Sequence, residues 1–133
     1  MATRLLRGWV SITGEENGVK SYALTLCLKD DRDLIRRYRE HHQAVWPEVT
    51  GRMREVGIQR MQIFLLGTRM FMYVDADDSF DPATDFQRIN EDPKSAEWNQ
   101  LMAGFQERAP EAGPDVWWAP MERVFDTEWP QHR

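Results

Sequence analysis

The chain has 133 residues, 41% of them hydrophobic and 29% charged, and a net charge of −5; this suits one compact domain whose core is large enough to fold without staples. Acidic and basic residues alternate and no long basic run occurs, which argues against nucleic acid or an anionic membrane surface as partner. No apolar stretch approaches the ~20 residues that span a bilayer, and the single cysteine, Cys27, can form no internal disulfide, so the chain is read as cytoplasmic.

Residues 1–18 are read as a flexible N-terminal extension, closed by the turn chemistry of Gly14-Glu15-Glu16-Asn17-Gly18. One domain then covers 19–128, and 129–133 form a tail. From Tyr22 to Leu28, the residues Tyr22, Leu24, Leu26 and Leu28 fall on one side and Ala23, Thr25 and Cys27 on the other. This is a strand with both faces largely covered. Asp30, Asp31 and Asp33 then supply a cap and favourable charge for a helix start. Leu34, Ile35, Tyr38, His42 and Trp46 make one helical stripe, which Pro47 must kink or restart because it has no N–H to donate. The second segment runs from Pro47 to Val56, with Gly57 as its C-terminal cap.

Ile58 to Leu66 and Met70 to Asp75 are strands joined by the tight turn Gly67-Thr68-Arg69. Asp81-Pro82 and Asp92-Pro93 each place a capping carboxylate before a proline at the first helical position. The longer of these two helices carries Trp98, Leu101, Met102 and Phe105 on one face. Val116 to Phe125 is the last strand, with Pro120 marking an edge or a bulge. The order β-α-β-β-α-β predicts an α+β, ferredoxin-like sandwich: a four-stranded antiparallel sheet with helices on one face. The strands are apolar on both sides and no third layer remains in the chain, so a second copy is expected to cover the open face, giving a homodimer.

Tyr38 and His42 lie four apart and share a helix face, with Trp46 four further on. An imidazole there is suited to moving protons near neutral pH, and an indole to stacking on a sugar. The same stripe also reads as core around a satisfied histidine. Glu48 sits in a first turn, where a carboxylate is favourable without any catalytic task. Glu122, in the last strand, faces either a pocket or solvent. Trp98 reads as core or as pocket wall. One of Trp117 and Trp118 must point outward, at a pocket rim or an interface. His41 and His42 point about 100° apart, there is no HExxH and no cysteine pair, and no metal is expected. Glycine-rich phosphate loops and nucleophile elbows are absent too, so no cofactor is expected.

The run Tyr38-Arg39-Glu40-His41-His42-Gln43-Ala44-Val45-Trp46-Pro47-Glu48-Val49 resembles the signature of the L-rhamnose mutarotase family: a Tyr, a His four later, then Trp-Pro-Glu. The likeness extends over roughly residues 21–126, through Gly57, the Gly67 hairpin, the Glu97-Trp98 helix and the closing Met121-Glu122-Arg123-Val124-Phe125. Met61-Gln62-Ile63-Phe64, Gly67 to Met72 and Glu97 to Met102 look closer to the L-fucose mutarotase branch. The rhamnose enzymes carry a Tyr where this chain has Met61 and a second Trp where it has Asn99.

The resemblance implies a dimeric α/β barrel of ferredoxin-like subunits that interconverts the α and β anomers of a 6-deoxyhexose. It implies His42 as proton donor and Tyr38 as a sugar contact, with Trp98, Met61 and Asn99 in the pocket. Trp46 and Trp98 offer apolar faces for the ring and the C6 methyl group. Glu48, Glu122 and water are the candidates for the second proton-transfer group. Two other classes share this fold plan: cofactor-free oxygenases or lactone isomerases, and non-catalytic binding modules. Neither is expected to share the Tyr38-His42-Trp46-Pro47-Glu48 run.

Overall fold

The structure is a computed structural model that describes residues 18–130. The N-terminal extension, apart from Gly18, and residues 131–133 of the tail lie outside the described residues. Strand β1 spans Val19–Leu28, helix α1 Arg32–His42, helix α2 Pro47–Glu55, and strands β2 and β3 Ile58–Leu66 and Arg69–Asp77. Helix α3 spans Pro82–Arg88, a 3₁₀ turn Ile89–Glu91, helix α4 Pro93–Ala103, and the short strands β4 and β5 Gln106–Glu107 and Ala119–Pro120.

The antiparallel sheet has the order β2-β3-β1-β4, and β5 also pairs with β1. β1 is central. It runs against β3 from Val19↔Asp77 to Cys27↔Arg69. Its other edge is shared by two short pieces, β4 on Cys27 and Leu28 and β5 on Leu24 and Thr25. The α+β, ferredoxin-like order is the expected one.

Two local expectations are corrected. The last strand is expected over Val116–Phe125, but only Ala119–Pro120 pairs as a strand. Pro120 has no N–H for the ladder, and pairing ends with the Met121 N–H donating to the Ala23 carbonyl at 2.9 Å. The helical stripe is expected to reach Trp46, but α1 stops at His42. A residue before proline is pushed out of the α region. Trp46 accordingly sits at φ −60°, ψ 135°, and α2 restarts with Pro47 in its first turn.

Three aspartates start the other helices. Asp31 accepts from the Leu34 N–H, Asp81 from that of Ala83 and Asp92 from that of Ser95, each satisfying a donor the helix itself leaves free. The β2–β3 hairpin turns on Gly67 and Thr68, with Gly67 at φ +62°, which glycine adopts without a Cβ clash. A bulge between Ile58 and Arg60 bends the start of β2.

The alternation along the strands decides the two faces. Tyr22, Leu24, Leu26, Leu28, Met70, Met72, Val74 and Ala76 are buried under the helices. Each large apolar side chain there contributes about 1.5–3 kcal/mol by leaving water. Two core clusters result: one around Tyr22, Val74 and Phe80, the other around Leu26, Tyr38 and Trp98. Met53, Ile63 and Trp118 pack against both. On the opposite face Phe64 stacks on Phe71 at 5.8 Å, and Phe71 meets Tyr73 at 6.4 Å. No helix of the described residues covers a length and hydropathy that would cross a membrane.

Gly57 ends α2 at φ +107°, and its carbonyl accepts from the Asp77 N–H at 2.8 Å. A Cβ at this position meets Asp77 Oδ2 at 3.4 Å and the Phe80 ring at 3.5 Å. Gly57→Ala is expected to destabilise the fold by about 1–3 kcal/mol through backbone strain. Urea melts of the two proteins check this, and equal midpoints contradict it.

Candidate active site

A cleft of about 1330 Å³ opens between the helix-covered face of the sheet and helices α1 and α4. It exceeds the roughly 300–1,000 Å³ usual for small-molecule sites. Tyr38 and His42 from α1, Met61 from β2, Trp98 and Asn99 from α4 and Gln106 from β4 all line it. The local chain geometry explains why they meet. Tyr38 and His42 are one turn apart, so their rings meet with centroids 4.3 Å apart, tilted by 37°. The α4 start at Asp92-Pro93 sets the phase that turns Trp98 inward, 5.4 Å from His42 and edge-on to it.

His42 Nδ1 lies 2.9 Å from the backbone carbonyl of Tyr38. A carbonyl only accepts, so Nδ1 carries the hydrogen and neutral His42 keeps its lone pair on Nε2. Burial lowers the His42 pKa, and the nearby His41 adds to the effect; the bond to the Tyr38 carbonyl opposes them. His42 therefore rests as a neutral proton acceptor at neutral pH. Burial pushes the Tyr38 phenol the other way, up to about 12, against a smaller opposite effect of its hydrogen bond with Gln106. Tyr38 stays protonated and can only serve as an un-ionised hydroxyl.

Gln106 is buried and bonds on both ends. Its Nε2 donates to the Tyr38 hydroxyl oxygen at 3.1 Å, and its Oε1 accepts from the Trp117 indole N–H at 2.8 Å. Asn99 Nδ2 donates to Asn90 Oδ1 at 2.5 Å, and both side chains line the cleft. Asp115 is the one carboxylate among the described lining residues, while Arg39, Arg54 and Arg60 stand at the exposed rim. Among the described residues no three His, Cys, Asp or Glu side chains gather to hold a metal ion.

The structure thus brings Tyr38, His42, Met61, Trp98 and Asn99 to one cavity. Trp46 stands behind it: its ring meets the Trp98 ring at 5.2 Å, and Lys94 Nζ lies over the Trp46 ring at 5.4 Å. Glu48 is exposed in the first turn of α2, and Glu122 is exposed beyond β5; neither lines the cleft. Sequence reasoning missed Gln106 altogether and left Trp117 between rim and interface. The available signal was a lone amide directly after the apolar α4 face, with a tryptophan pair downstream to close over it.

Comparison with known proteins places the chain in a family. A profile of the L-rhamnose mutarotase family matches residues 21–127. The chain is 46% identical over 114 residues to a UPF0734 protein of Dictyostelium discoideum, covering 83% of this chain and 91% of that protein. It is 35% identical over 102 residues to an L-fucose mutarotase of Xanthomonas campestris, covering 75% of this chain and 82% of the relative. Among solved structures, an L-rhamnose mutarotase from Formosa agariphila superposes with a TM-score of 0.59 at 22% identity, over 82% of this chain and 99% of that one. The tetracenomycin F2 cyclase of Streptomyces glaucescens, a type II polyketide cyclase, follows with a TM-score of 0.52 at 15% identity, over 83% and 98%. The two structural likenesses speak for the fold alone; the profile, spanning most of the chain, and the 35% identical relative together show that this chain belongs to the L-rhamnose mutarotase family of carbohydrate isomerases.

Proposed function

We propose that the cleft interconverts the α and β anomers of a 6-deoxyhexose, with L-fucose favoured over L-rhamnose. The observation that carries this reading is the placement of His42 beside Tyr38, their ring centroids 4.3 Å apart, at an apolar cavity wall. Trp98, Met61 and Met72 offer that wall to the ring face and the C6 methyl group. The similarity to an L-fucose mutarotase supports the sugar preference, as do Met61 and Asn99, where the rhamnose branch is expected to carry Tyr and Trp.

Mutarotation opens a hemiacetal and recloses it on the other face. The proton of the O1 hydroxyl passes to His42 Nε2 while the C1–O5 bond breaks and C1 becomes an aldehyde. Tyr38 donates a hydrogen bond to the departing ring oxygen. The imidazolium then returns the proton to O5. Rotation about C1–C2 and the reverse transfers give the other anomer. O1 and O5 are both bonded to C1, so one imidazole can serve both. In this sequence His42 acts first as base and then as the proton donor that the family resemblance implies. Neither Glu48 nor Glu122 is needed, in keeping with their positions outside the cleft.

The exposed aromatic face of the sheet supports a homodimer. Phe64 remains 51% exposed beside Phe71 and Tyr73, an unusual arrangement for a surface left to water. The lone, buried Cys27 is in keeping with a cytoplasmic protein.

Three outcomes are expected. Saturation-difference NMR should show accelerated anomer exchange, faster for L-fucose than for L-rhamnose, and His42→Ala should lower it by about 10²–10⁴-fold with the fold intact; unchanged exchange in that variant removes His42 from the reaction. The neutral imidazole is the working form and burial lowers its pKa. Exchange should therefore fall on acidification along a limb centred below the ordinary value of about 6.5, and a midpoint above that value contradicts the assignment. Sedimentation should give a dimer for the native chain and a monomer for Phe64→Glu; a native monomer refutes the sheet-face interface.

A further inference from the structure

We propose that Trp117 and Gln106 form a one-way hydrogen-bond relay that aims the hydroxyl hydrogen of Tyr38 into the cleft, which makes Gln106 a positioning residue. The inference rests on the mutarotase reading for its purpose and on hydrogen-bond chemistry for its direction.

An amide side chain has two ends of nearly equal shape and opposite polarity. The partners decide which end points where. An indole N–H is a donor and nothing else, so the end of Gln106 that meets Trp117 at 2.8 Å is the carbonyl oxygen. The NH₂ end is then committed to Tyr38 at 3.1 Å. The Tyr38 oxygen accepts there, so its own hydrogen cannot point back at Gln106. Tyr38 is 5% exposed and lines the cleft, which leaves the cavity as the direction for that hydrogen. A phenol whose hydrogen rotates freely spends part of its time facing the wrong way. The relay removes that freedom before substrate arrives.

The relay has a second consequence. Trp117 lies on the segment 108–118, which has neither helix nor strand and contains Pro110, Gly113 and Pro114. The neighbouring Trp118 packs against both core clusters. The Trp117–Gln106 bond ties this segment to β4 beside the reacting groups. The arrangement of this segment and the direction of the Tyr38 donor are set by the same amide.

Gln106→Glu tests the relay at almost constant shape. A carboxylate accepts from Trp117 and also from Tyr38, so the phenol hydrogen turns toward Glu and the cleft loses its donor. We expect kcat to fall by about 10–100-fold, the range for a hydrogen bond to a developing charge, with little change in KM. Protonation of that carboxyl restores a donor toward Tyr38, so the variant should gain a descending alkaline limb absent from the native protein. Native kcat with a native pH profile overturns the positioning role.

An independent readout is the Trp117 indole proton, assigned in ¹⁵N spectra by its loss in Trp117→Phe. Gln106→Leu should shift this resonance and speed its exchange with solvent; no response overturns the relay whatever the activity. Should Gln106→Glu fail to fold, Trp117→Phe replaces it, because that ring is 42% exposed. A fall in kcat at unchanged KM then supports the relay, and native kcat overturns the role. A native protein that accelerates neither sugar removes the mutarotase reading and with it the catalytic purpose, while the indole response separately decides whether the relay exists.

Discussion

The structure depends on the ladder between β1 and β3. These strands pair from Val19↔Asp77 to Cys27↔Arg69 without interruption, and their helix-side residues include the fully buried Leu26 and Val74. Strand register is unforgiving: a slip of one residue moves every apolar side chain to the other face. With the register set, the remaining pieces have little freedom. The hairpin places β2 at one edge, and the free edge of β1 receives β4 and β5. Thr25 secures the pair from the outer face by donating to the Met70 carbonyl at 2.6 Å. Ser21 bonds Asp75 across the same two strands.

The cleft follows from how the helices lie on this sheet. Pro47 forbids one long helix, so α1 and α2 approach the sheet separately. The turn between them carries Trp46 to the back of Trp98, and Trp98 in turn stands edge-on to His42. An apolar ring thus backs each polar group, which is what shifts their pKa values apart: the imidazole down and the phenol up, both mainly by burial. Opposite shifts on neighbouring groups leave one ready to accept a proton and the other unable to lose one. Proton shuffling between two oxygens of a sugar needs that pairing and no more powerful chemistry.

Fold by itself does not carry the function. The tetracenomycin F2 cyclase superposes nearly as well as the L-rhamnose mutarotase, and a shared scaffold hosts unrelated reactions. The distinction lies in the side chains at the mouth of the sheet, where this chain presents a His–Tyr pair, several amides and three indoles. The family profile covers residues 21–127, the stretch that carries all of these side chains.

Much of this was legible in the chain. Alternation in Tyr22–Leu28, the Gly67 turn, the Asp-Pro helix starts and the Tyr38-His42 spacing are set by neighbours within a few residues, where periodicity and capping act. The ferredoxin-like order and the pairing of Tyr38 with His42 therefore needed no tertiary information. The placement of Gln106 and Trp117 did. Gln106 comes within hydrogen-bond reach of Tyr38, and Trp117 of Gln106, only because two short strands, each held by two residues, share one edge of β1. The position of Glu48 and Glu122 outside the cleft was likewise decided by how the helices and the last segment dock, since a carboxylate in a first turn or just past a short edge strand looks the same in sequence whether it faces solvent or substrate. Local rules determined the elements and one polar pair. The packing of distant segments decided which donors and acceptors complete the site, because hydrogen bonds between residues far apart in the chain leave no period in it.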